Sequence, residues 1–196
     1  MILVTGGCRS GKSAFAETLV TRDKTGPWLY VATALITDPE MEARVKKHRQ
    51  RRGDSWKTWE GFRNLGNVLA GRDISGWEIS GFKGILLDSV TTMTTNLLFD
   101  FIGDVDWEHF QFEQVDYNQA QDYIMDNFKA LCQAGKDLPL VMVTDEIGLG
   151  VVPETCLGRN FRDILGTVNQ YLASECTSVY MVISGIPVRI KGAEEK

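Results

Sequence analysis

The amino-acid sequence predicts an α/β fold in which helices flank a mostly parallel sheet. Short apolar runs alternate with longer amphipathic stretches, which is the pattern of parallel strands joined by helical crossovers. The runs are apolar throughout rather than at every second residue, as expected for strands with both faces covered. A glycine-rich turn containing a lysine joins the first apolar run to the first amphipathic stretch, a connection common in α/β domains that bind phosphate.

The first four elements follow from local pattern. Residues 2–5 are an apolar strand that ends at a glycine pair, and apolar residues on one side predict a helix over Lys12–Thr21. Trp28–Ala32 is the second apolar run. Asp38 before a proline suits an N-cap followed by proline at the first helical position, which predicts a highly charged helix over 39–52.

The later elements repeat the alternation of strand and helix. Apolar runs predict strands, and apolar residues at helical intervals predict the helices between them. Two stretches interrupt the pattern: 71–84 is rich in glycine and is expected to be a surface loop, and 103–117 is acidic and aromatic and is expected to be a loop, a lid or an edge. The elements are strands at Gly84–Asp88, 140–144 and 179–184, and helices at 91–101, 116–134 and 160–174.

Composition limits the classes of protein to consider. The 196 residues, 43% hydrophobic and 24% charged, suit one globular domain spanning 1–196. The apolar runs are too short to span a bilayer, and a net charge of −5 argues against a bulk nucleic-acid binder. Four cysteines without CxxC spacing and only two histidines exclude a common zinc site and disfavour a disulfide framework. We therefore expect a cytoplasmic protein.

Residues 6–13 carry the strongest motif of the chain and fit the pattern G-x-x-x-x-G-K-[ST] in full. A strand precedes the motif and a helix follows it, so its context predicts a P-loop NTPase-like fold. Backbone N–H groups of such a loop surround phosphate oxygens, Lys12 would reach the outer phosphates, and Ser13 would hold Mg²⁺. The motif predicts a nucleoside triphosphate without naming its base. The expected contacts are Gly6, Gly7, Cys8, Arg9, Ser10, Gly11, Lys12 and Ser13.

A phosphate loop also needs an acidic residue near the metal. Asp88 ends one predicted strand and is the first candidate, and Asp145 and Glu146 after a later strand are the second. Both positions lie at carboxyl ends of strands, where open α/β sheets bind ligands. The alternative for each is a carboxylate that only caps the following helix.

Six cations lie between Arg44 and Arg52, around His48, in a chain that is acidic overall. A run of charges is commonly just a solvated helix face, and the overall acidity disfavours a nucleic-acid patch. A third interpretation is chemical. Neighbouring cations lower the pKa of an imidazole, and a neutral imidazole nitrogen can attack phosphorus while the cations stabilise the phosphate charge. His109, in the acidic stretch, is expected to be a surface residue.

Several motifs together resemble one family over nearly the whole chain and in order. The opening segment through the phosphate loop, the Trp-Lys-Thr-Trp-Glu segment and the Thr-Asp-Glu-Ile-Gly-Leu-Gly segment carry most of the resemblance. The chain resembles the bifunctional adenosylcobinamide kinase / adenosylcobinamide-phosphate guanylyltransferases. The matching segments are 2–13, 30–33, 40–48, 56–60, 86–91, 96–98, 143–154, 158–163, 168–170 and 184–187.

This resemblance implies an enzyme of cobalamin assembly and a homotrimer. It would phosphorylate adenosylcobinamide with ATP or GTP, then transfer GMP from GTP to adenosylcobinamide phosphate through a guanylylated histidine at His48, with Lys12 also catalytic. Cys8 stands where many relatives have alanine, Asp88 where many have glutamate, and Lys47 where some have a second histidine. The implied nucleotide contacts outside the phosphate loop are Thr33, Ala34, Leu35, Arg49, Gln50, Arg51, Arg52, Glu60 and Asp88.

Two other functions fit parts of the sequence. A P-loop small-molecule kinase without nucleotidyl transfer would not need His48. A regulatory nucleotide-binding protein would bind partners without turnover, but the Asn-Lys-x-Asp guanine-reading motif of GTPases is absent. The stretches 71–84 and 103–117 contain none of the motifs that carry the resemblance.

Overall fold

The computed structural model describes residues 1–22, 25–35, 53, 55–71, 73–106 and 108–192. Within these residues, seven strands form one sheet in the order β3-β2-β6-β7-β1-β8-β9. All neighbouring strands run parallel except the edge pair β8–β9, which is antiparallel. This is the mostly parallel α/β sheet that the alternation of strands and helices predicts.

The bounds of the elements are as follows. The strands are β1 (Ile2–Gly6), β2 (Trp28–Ala32), β3 (Trp56–Glu60), β4 (Asp73–Ile74), β5 (Trp77–Glu78), β6 (Gly84–Asp88), β7 (Leu140–Val143), β8 (Ser178–Ile183) and β9 (Ile186–Lys191). The α-helices are α1 (Lys12–Thr21), α2 (Leu65–Ala70), α3 (Val90–Ile102), α4 (Tyr117–Gly135) and α5 (Cys156–Glu175). Short 3₁₀ turns cover Ile79–Gly81 and Phe112–Gln114.

The sheet separates two apolar clusters. Alternate residues of the central strands, Val4 and Leu86 among them, face α1 on one side. Their neighbours Leu3 and Leu87 face the opposite side, where α3, α4 and α5 pack. Burial of each such side chain stabilises the fold by about 1.5–3 kcal/mol, so helices on both faces hold the central strands in place. Within the described residues, no helix combines the length and apolar character that crossing a membrane requires.

The structure differs from the sequence prediction at the sheet edges and in one loop. Strands β3 and β9 are absent from the predicted elements, as is α2. The expected surface loop at 71–84 is wrong, because it contains the hairpin β4–β5 and a 3₁₀ turn. Ile74, Ile79 and Phe82 from this stretch are buried in the core. Helix α5 begins at Cys156 rather than at residue 160, and the predicted helix 39–52 lies outside the described residues.

The carboxyl ends of the parallel strands meet at one edge of the sheet, the carboxyl edge. Gly6 of β1, Ala32 of β2, Glu60 of β3 and Asp88 of β6 all lie at this edge. The turns that follow β1 and β7 are bonded to each other there, since Glu146 N–H donates to Gly6 O at 3.0 Å. Ligands of open α/β sheets bind at such an edge.

Candidate nucleotide-binding site

The turn between β1 and α1 has the backbone that its glycines allow. Gly6 has a φ of +153° and Gly11 a φ of +99°, values that side chains disfavour. A Cβ at Gly6 would collide with the carbonyl oxygen of Val182 in β8. The turn is closed by the hydrogen bond from Ser10 N–H to Gly7 O and tied to the β8–β9 connection by Gly185 N–H donating to Ser10 O. Only glycine at these two positions lets the loop lie this close to the sheet.

Lys12 is the first residue of α1 and is only 8% exposed. Its Nζ donates to Gly7 O at 2.8 Å and lies 2.7 Å from Asp145 Oδ1. A buried ammonium group needs such partners because burial removes its hydration. The amine is therefore held across the mouth of the loop, where phosphate oxygens of a nucleotide would meet it.

Asp145 is the carboxylate that the structure brings to the loop. Its backbone N–H donates to Thr91 Oγ1 at 2.8 Å, and Asn169 Nδ2 donates to its carbonyl oxygen at 3.1 Å. The buried Thr144 hydroxyl donates to Asn169 Oδ1 at 2.7 Å, which orients that amide. Bonds to α3 and α5 thus fix the Asp145 backbone, and the carboxylate meets Lys12 as a consequence.

Ser10 adds an unpaired hydroxyl to the loop. Its Oγ is buried and has no hydrogen-bond partner among the described residues. Since buried polar groups are nearly always hydrogen-bonded, an orphaned hydroxyl inside a phosphate-binding motif fits a ligand oxygen. We refer to Ser10, Lys12 and Asp145 as the phosphate-loop cluster.

The donor set beside the loop also fits Mg²⁺. Ser13, in the first turn of α1, is half-buried, and Asp145 and Asp88 supply carboxylate oxygens at the same sheet edge. Hydroxyl and carboxylate oxygens are the protein ligands that Mg²⁺ prefers, with substrate phosphates and water completing the octahedron. Among the described residues no group of three or more histidine, cysteine or acidic side chains is placed to hold a metal ion.

A second polar cluster follows β2. Thr33 Oγ1 donates to Ser89 O at 2.6 Å and accepts from Ser89 N–H at 2.9 Å. Thr92 Oγ1 lies 2.6 Å away, and Asn96 Nδ2 donates to Thr33 O at 2.7 Å. We call Thr33, Ser89, Thr92 and Asn96 the threonine cluster. Because Thr33 is 1% exposed and its hydroxyl is engaged on all sides, its contribution to a site is to fix the backbone that leads to Ala34 and Leu35.

Asp88 and Glu60 lie at the same level of the sheet, on the two strands that flank β2. Both are in register with Ala32, on either side of β2, and the Tyr30 hydroxyl donates to Asp88 Oδ2 at 3.0 Å. This pair lies beside the threonine cluster and is separated from β1 by β7. The first acidic candidate of the sequence is thus farther from the phosphate loop than the second.

The structure therefore groups the predicted site residues in two places along the carboxyl edge. The phosphate loop is one, and Thr33, Ala34, Leu35, Glu60 and Asp88 form the other. The predicted nucleophile His48 and the contacts Arg49, Gln50, Arg51 and Arg52 lie outside the described residues. Asp145 was only the second acidic candidate of the sequence, and its position at the end of the strand beside β1 is the signal that favours it.

This fold and this loop define a P-loop nucleotide-binding protein of the α/β class. A family model described as "Cobinamide kinase / cobinamide phosphate guanyltransferase" matches residues 2–190, and the chain belongs to this family, the CobU family. The resemblance stated from the sequence motifs is confirmed.

Curated relatives match over nearly their full lengths. The chain is 45% identical to the "Bifunctional adenosylcobalamin biosynthesis protein CobU" of Escherichia coli (strain K12), over 97% of this chain and 99% of the relative. It is 43% identical to the protein of the same name from Salmonella typhimurium, with the same coverage of both chains. It is 33% identical to the CobP protein of Pseudomonas aeruginosa, over 97% of this chain and 96% of the relative.

Proposed function

We propose that this chain phosphorylates adenosylcobinamide and then transfers GMP from GTP to the product, adenosylcobinamide phosphate. The observation that carries the proposal is the complete phosphate loop, with Lys12 held against Asp145, in a chain that matches the family from residue 2 to 190. ATP and GTP are the proposed nucleotide substrates.

In the kinase step, the hydroxyl oxygen of adenosylcobinamide attacks the γ-phosphorus and its proton is released to solvent. The bond from that phosphorus to the β,γ-bridging oxygen breaks, and the nucleoside diphosphate leaves. The loop N–H groups and Lys12 stabilise the charge on the transferring and leaving phosphates. A bound Mg²⁺, held by Ser13 with Asp145 or Asp88, would neutralise phosphate charge. Such positioned donors contribute about 10²–10³-fold each to a rate.

In the second step, a nitrogen of His48 attacks the α-phosphorus of GTP, and pyrophosphate leaves. Lys12 and the loop N–H groups stabilise the charge on the leaving pyrophosphate. The phosphate oxygen of adenosylcobinamide phosphate then attacks the guanylylated histidine, which gives adenosylcobinamide-GDP and returns the free imidazole. The six cations between Arg44 and Arg52 support this role, because they favour a neutral imidazole and attract the anionic acceptor.

Incubation with Mg²⁺ and GTP labelled at the α-phosphate, followed by denaturation, tests the function directly. We expect acid-labile label on the wild-type protein and none on His48→Ala. His109→Ala is the matched control, because His109 is the other histidine and lies on the surface, 2.8 Å from Asp106. Label on all three proteins would contradict the role of His48. Absence of label on all three proteins would contradict GMP transfer and would indicate a kinase without nucleotidyl transfer.

We further propose that the chain acts as a homotrimer. The edge hairpin β8–β9 exposes Ile183, Ile186, Val188 and Ile190, each by about half or more of its surface. An apolar patch of this kind on one sheet edge fits an interface with another copy. Light scattering should give three times the chain mass for wild type and a smaller assembly for Val188→Glu. A wild-type monomer would contradict the proposal.

We place these reactions in the cytoplasm. The four cysteines Cys8, Cys132, Cys156 and Cys176 are all unpaired thiols in the structure, as expected in a reducing compartment. Fractionation of source cells tests this, and recovery of the protein outside the cytoplasmic fraction would contradict it.

A further inference from the structure

We propose that Asn169 is a positioning residue for the kinase step, because its side-chain amide holds Asp145 in the place where the Asp145 carboxylate meets Lys12. Asn169 lies in the second half of α5, and its side chain reaches the residues that directly follow β7. The inference rests on the proposed kinase function and adds to it a residue that acts on the phosphate loop through another side chain.

Two hydrogen bonds give the Asn169 amide a single orientation. The Thr144 hydroxyl donates to Asn169 Oδ1 at 2.7 Å, and Asn169 Nδ2 donates to the Asp145 carbonyl oxygen at 3.1 Å. Thr144 is fully buried, and its backbone N–H donates to Val4 O of β1 at 3.0 Å, so the sheet fixes this residue. An amide that was turned over would set its oxygen against the Asp145 carbonyl oxygen. The orientation in the structure is therefore the one that donates to Asp145.

The backbone of Asp145 is held by the side chains of two helices. Its N–H donates to Thr91 Oγ1 of α3 at 2.8 Å, and its carbonyl oxygen accepts from Asn169 of α5. With both groups fixed, the carboxylate has a defined starting point, and its Oδ1 lies 2.7 Å from Lys12 Nζ. Because a misplacement of about 1 Å in a catalytic group can cost about 10²-fold in rate, the anchoring of Asp145 should affect phosphate transfer.

Asn169→Asp separates positioning from packing. Aspartate keeps the shape of asparagine and an oxygen that accepts from Thr144, but it presents an oxygen instead of an N–H group to the Asp145 carbonyl. A residue that only packs, or only satisfies Thr144, would tolerate this change. Asn127→Asp is the matched control, because Asn127 is also half-buried in a helix, and its Nδ2 donates to Tyr123 O of the same helix at 3.0 Å.

The surroundings of Asn169 favour folding of the variant. Asn169 is half-buried and lines an open cleft between α5 and the sheet, together with Thr5 and Gly166. Water in this cleft can hydrate a new carboxylate, which reduces the cost of introducing the charge. Thr91→Val is the second variant, since it removes the other anchor of Asp145 from a half-buried position.

Steady-state kinetics give the first readout. We expect Asn169→Asp to lower the kinase kcat about 10-fold, equivalent to ~1.4 kcal/mol, with a KM for adenosylcobinamide within about threefold of wild type. Asn127→Asp should keep the wild-type kcat. The double variant Asn169→Asp/Asp145→Asn should be about as slow as Asp145→Asn alone, because non-additivity is expected when one residue acts through the other. An unchanged kcat in Asn169→Asp, or losses that multiply in the double variant, would overturn the proposal.

The side-chain ammonium signal of Lys12 in a ¹H–¹⁵N NMR spectrum gives a readout that needs no turnover. Hydrogen bonds and burial slow the exchange of ammonium protons with water, and Lys12 has both. We expect the signal, assigned by its absence in Lys12→Ala, in wild type and Asn127→Asp, and its loss in Asn169→Asp. An unchanged signal in Asn169→Asp would overturn the proposal.

The same measurement separates this inference from the proposed function. Absence of wild-type kinase turnover, together with loss of the Lys12 signal in Asn169→Asp, would count against the kinase and still support the positioning of Asp145. If Asn169→Asp does not fold, Thr91→Val takes its place with the same expected loss of kcat and of the Lys12 signal. Wild-type values of both in Thr91→Val would then overturn the proposal.

Discussion

The phosphate-loop cluster and the threonine cluster occupy the same carboxyl edge of one sheet but are bonded in different ways. In the first, an ion pair joins Lys12 to Asp145, and the Ser10 hydroxyl has no partner among the described residues. In the second, neutral hydrogen bonds of 2.6–2.9 Å engage the Thr33 hydroxyl from Ser89 and Thr92. The phosphate-loop cluster can therefore form further hydrogen bonds to a ligand, whereas the Thr33 hydroxyl of the threonine cluster already has its partners.

This difference indicates a division of roles. A cluster that holds a charge pair and an orphaned hydroxyl gains hydrogen bonds when an anion binds. A saturated cluster gains none, but it fixes the chain on both sides of the β2 end. Substitutions in the phosphate-loop cluster should therefore change activity first, whereas substitutions in the threonine cluster should change stability first.

Lys12→Ala should have the largest effect. It removes the amine that meets the outer phosphates, and we expect kinase kcat/KM to fall about 10³-fold, or ~4 kcal/mol. Steady-state assays with adenosylcobinamide measure this. Lys129→Ala is the control, because Lys129 forms an exposed pair of 2.8 Å with Asp126. A loss of less than tenfold in Lys12→Ala would contradict a catalytic role for this lysine.

Asp145→Asn should have the next largest effect. The side chain keeps its shape but loses the charge that holds Lys12 Nζ, so we expect a kinase rate about 10²-fold lower, or ~2.7 kcal/mol. Asp88→Asn should lower the kinase rate less than Asp145→Asn does, because Asp145 is the carboxylate beside the phosphate loop. Equal losses at both positions would place Asp88 in the same role.

Thr33→Val should change stability rather than phosphate binding. The substitution removes the 2.9 Å hydrogen bond from Ser89 N–H to the Thr33 hydroxyl and leaves that donor only its longer bond to Thr92 Oγ1 at 3.2 Å, which costs about 1 kcal/mol. Denaturant unfolding measures this. Thr95→Val is the control, because the Thr95 hydroxyl donates to Thr91 O within its own helix turn. A wild-type midpoint for Thr33→Val would contradict the structural role of the threonine cluster.

Asp100→Asn should have the smallest effect, and one that depends on pH. The hydrogen bond from Arg63 holds the pKa of Asp100 below its ordinary value, with Tyr123 adding to the effect and burial opposing it. A folded-state pKa below the unfolded one stabilises the fold above the unfolded pKa, and this contribution is lost as pH falls through the folded pKa.

We therefore expect Asp100→Asn to lower the free energy of unfolding by less than about 1 kcal/mol at neutral pH, since the Arg63 side chain is 64% exposed. The difference from wild type should shrink as pH falls below 3.8. Urea titrations at several pH values measure it. A difference that grows towards acid would contradict the sign of the pKa shift.

Central elements of this fold could be predicted from the sequence because burial on both faces leaves a continuous apolar run. Gly84–Asp88 is such a run, and its bounds agree with β6. The edge strands could not be predicted in this way. Trp56–Glu60 mixes polar and aromatic residues, and Ile186–Lys191 contains a proline and two cations, since an edge strand has one side open to solvent. The two-residue strands of β4–β5 are too short to show any period.

Some residues of the site could likewise be predicted from the sequence, and others could not. The phosphate loop could be predicted because its spacing is a direct requirement of wrapping backbone around phosphate. Choosing between Asp88 and Asp145 needs the strand order, since both end apolar runs and only the order β6-β7-β1 shows which is next to the loop. No motif indicates that Thr5 and Gly166 line one cleft, because packing of α5 on the sheet creates that cleft.

We propose that one phosphate loop serves both chemical steps, whereas His48 serves only the second. Lys12→Ala and His48→Ala, assayed side by side for phosphorylation of adenosylcobinamide and for GMP transfer, test it most directly. We expect Lys12→Ala to lose both activities, and His48→Ala to make adenosylcobinamide phosphate but no adenosylcobinamide-GDP. Loss of both activities in His48→Ala, or GMP transfer at the wild-type rate in Lys12→Ala, would contradict it.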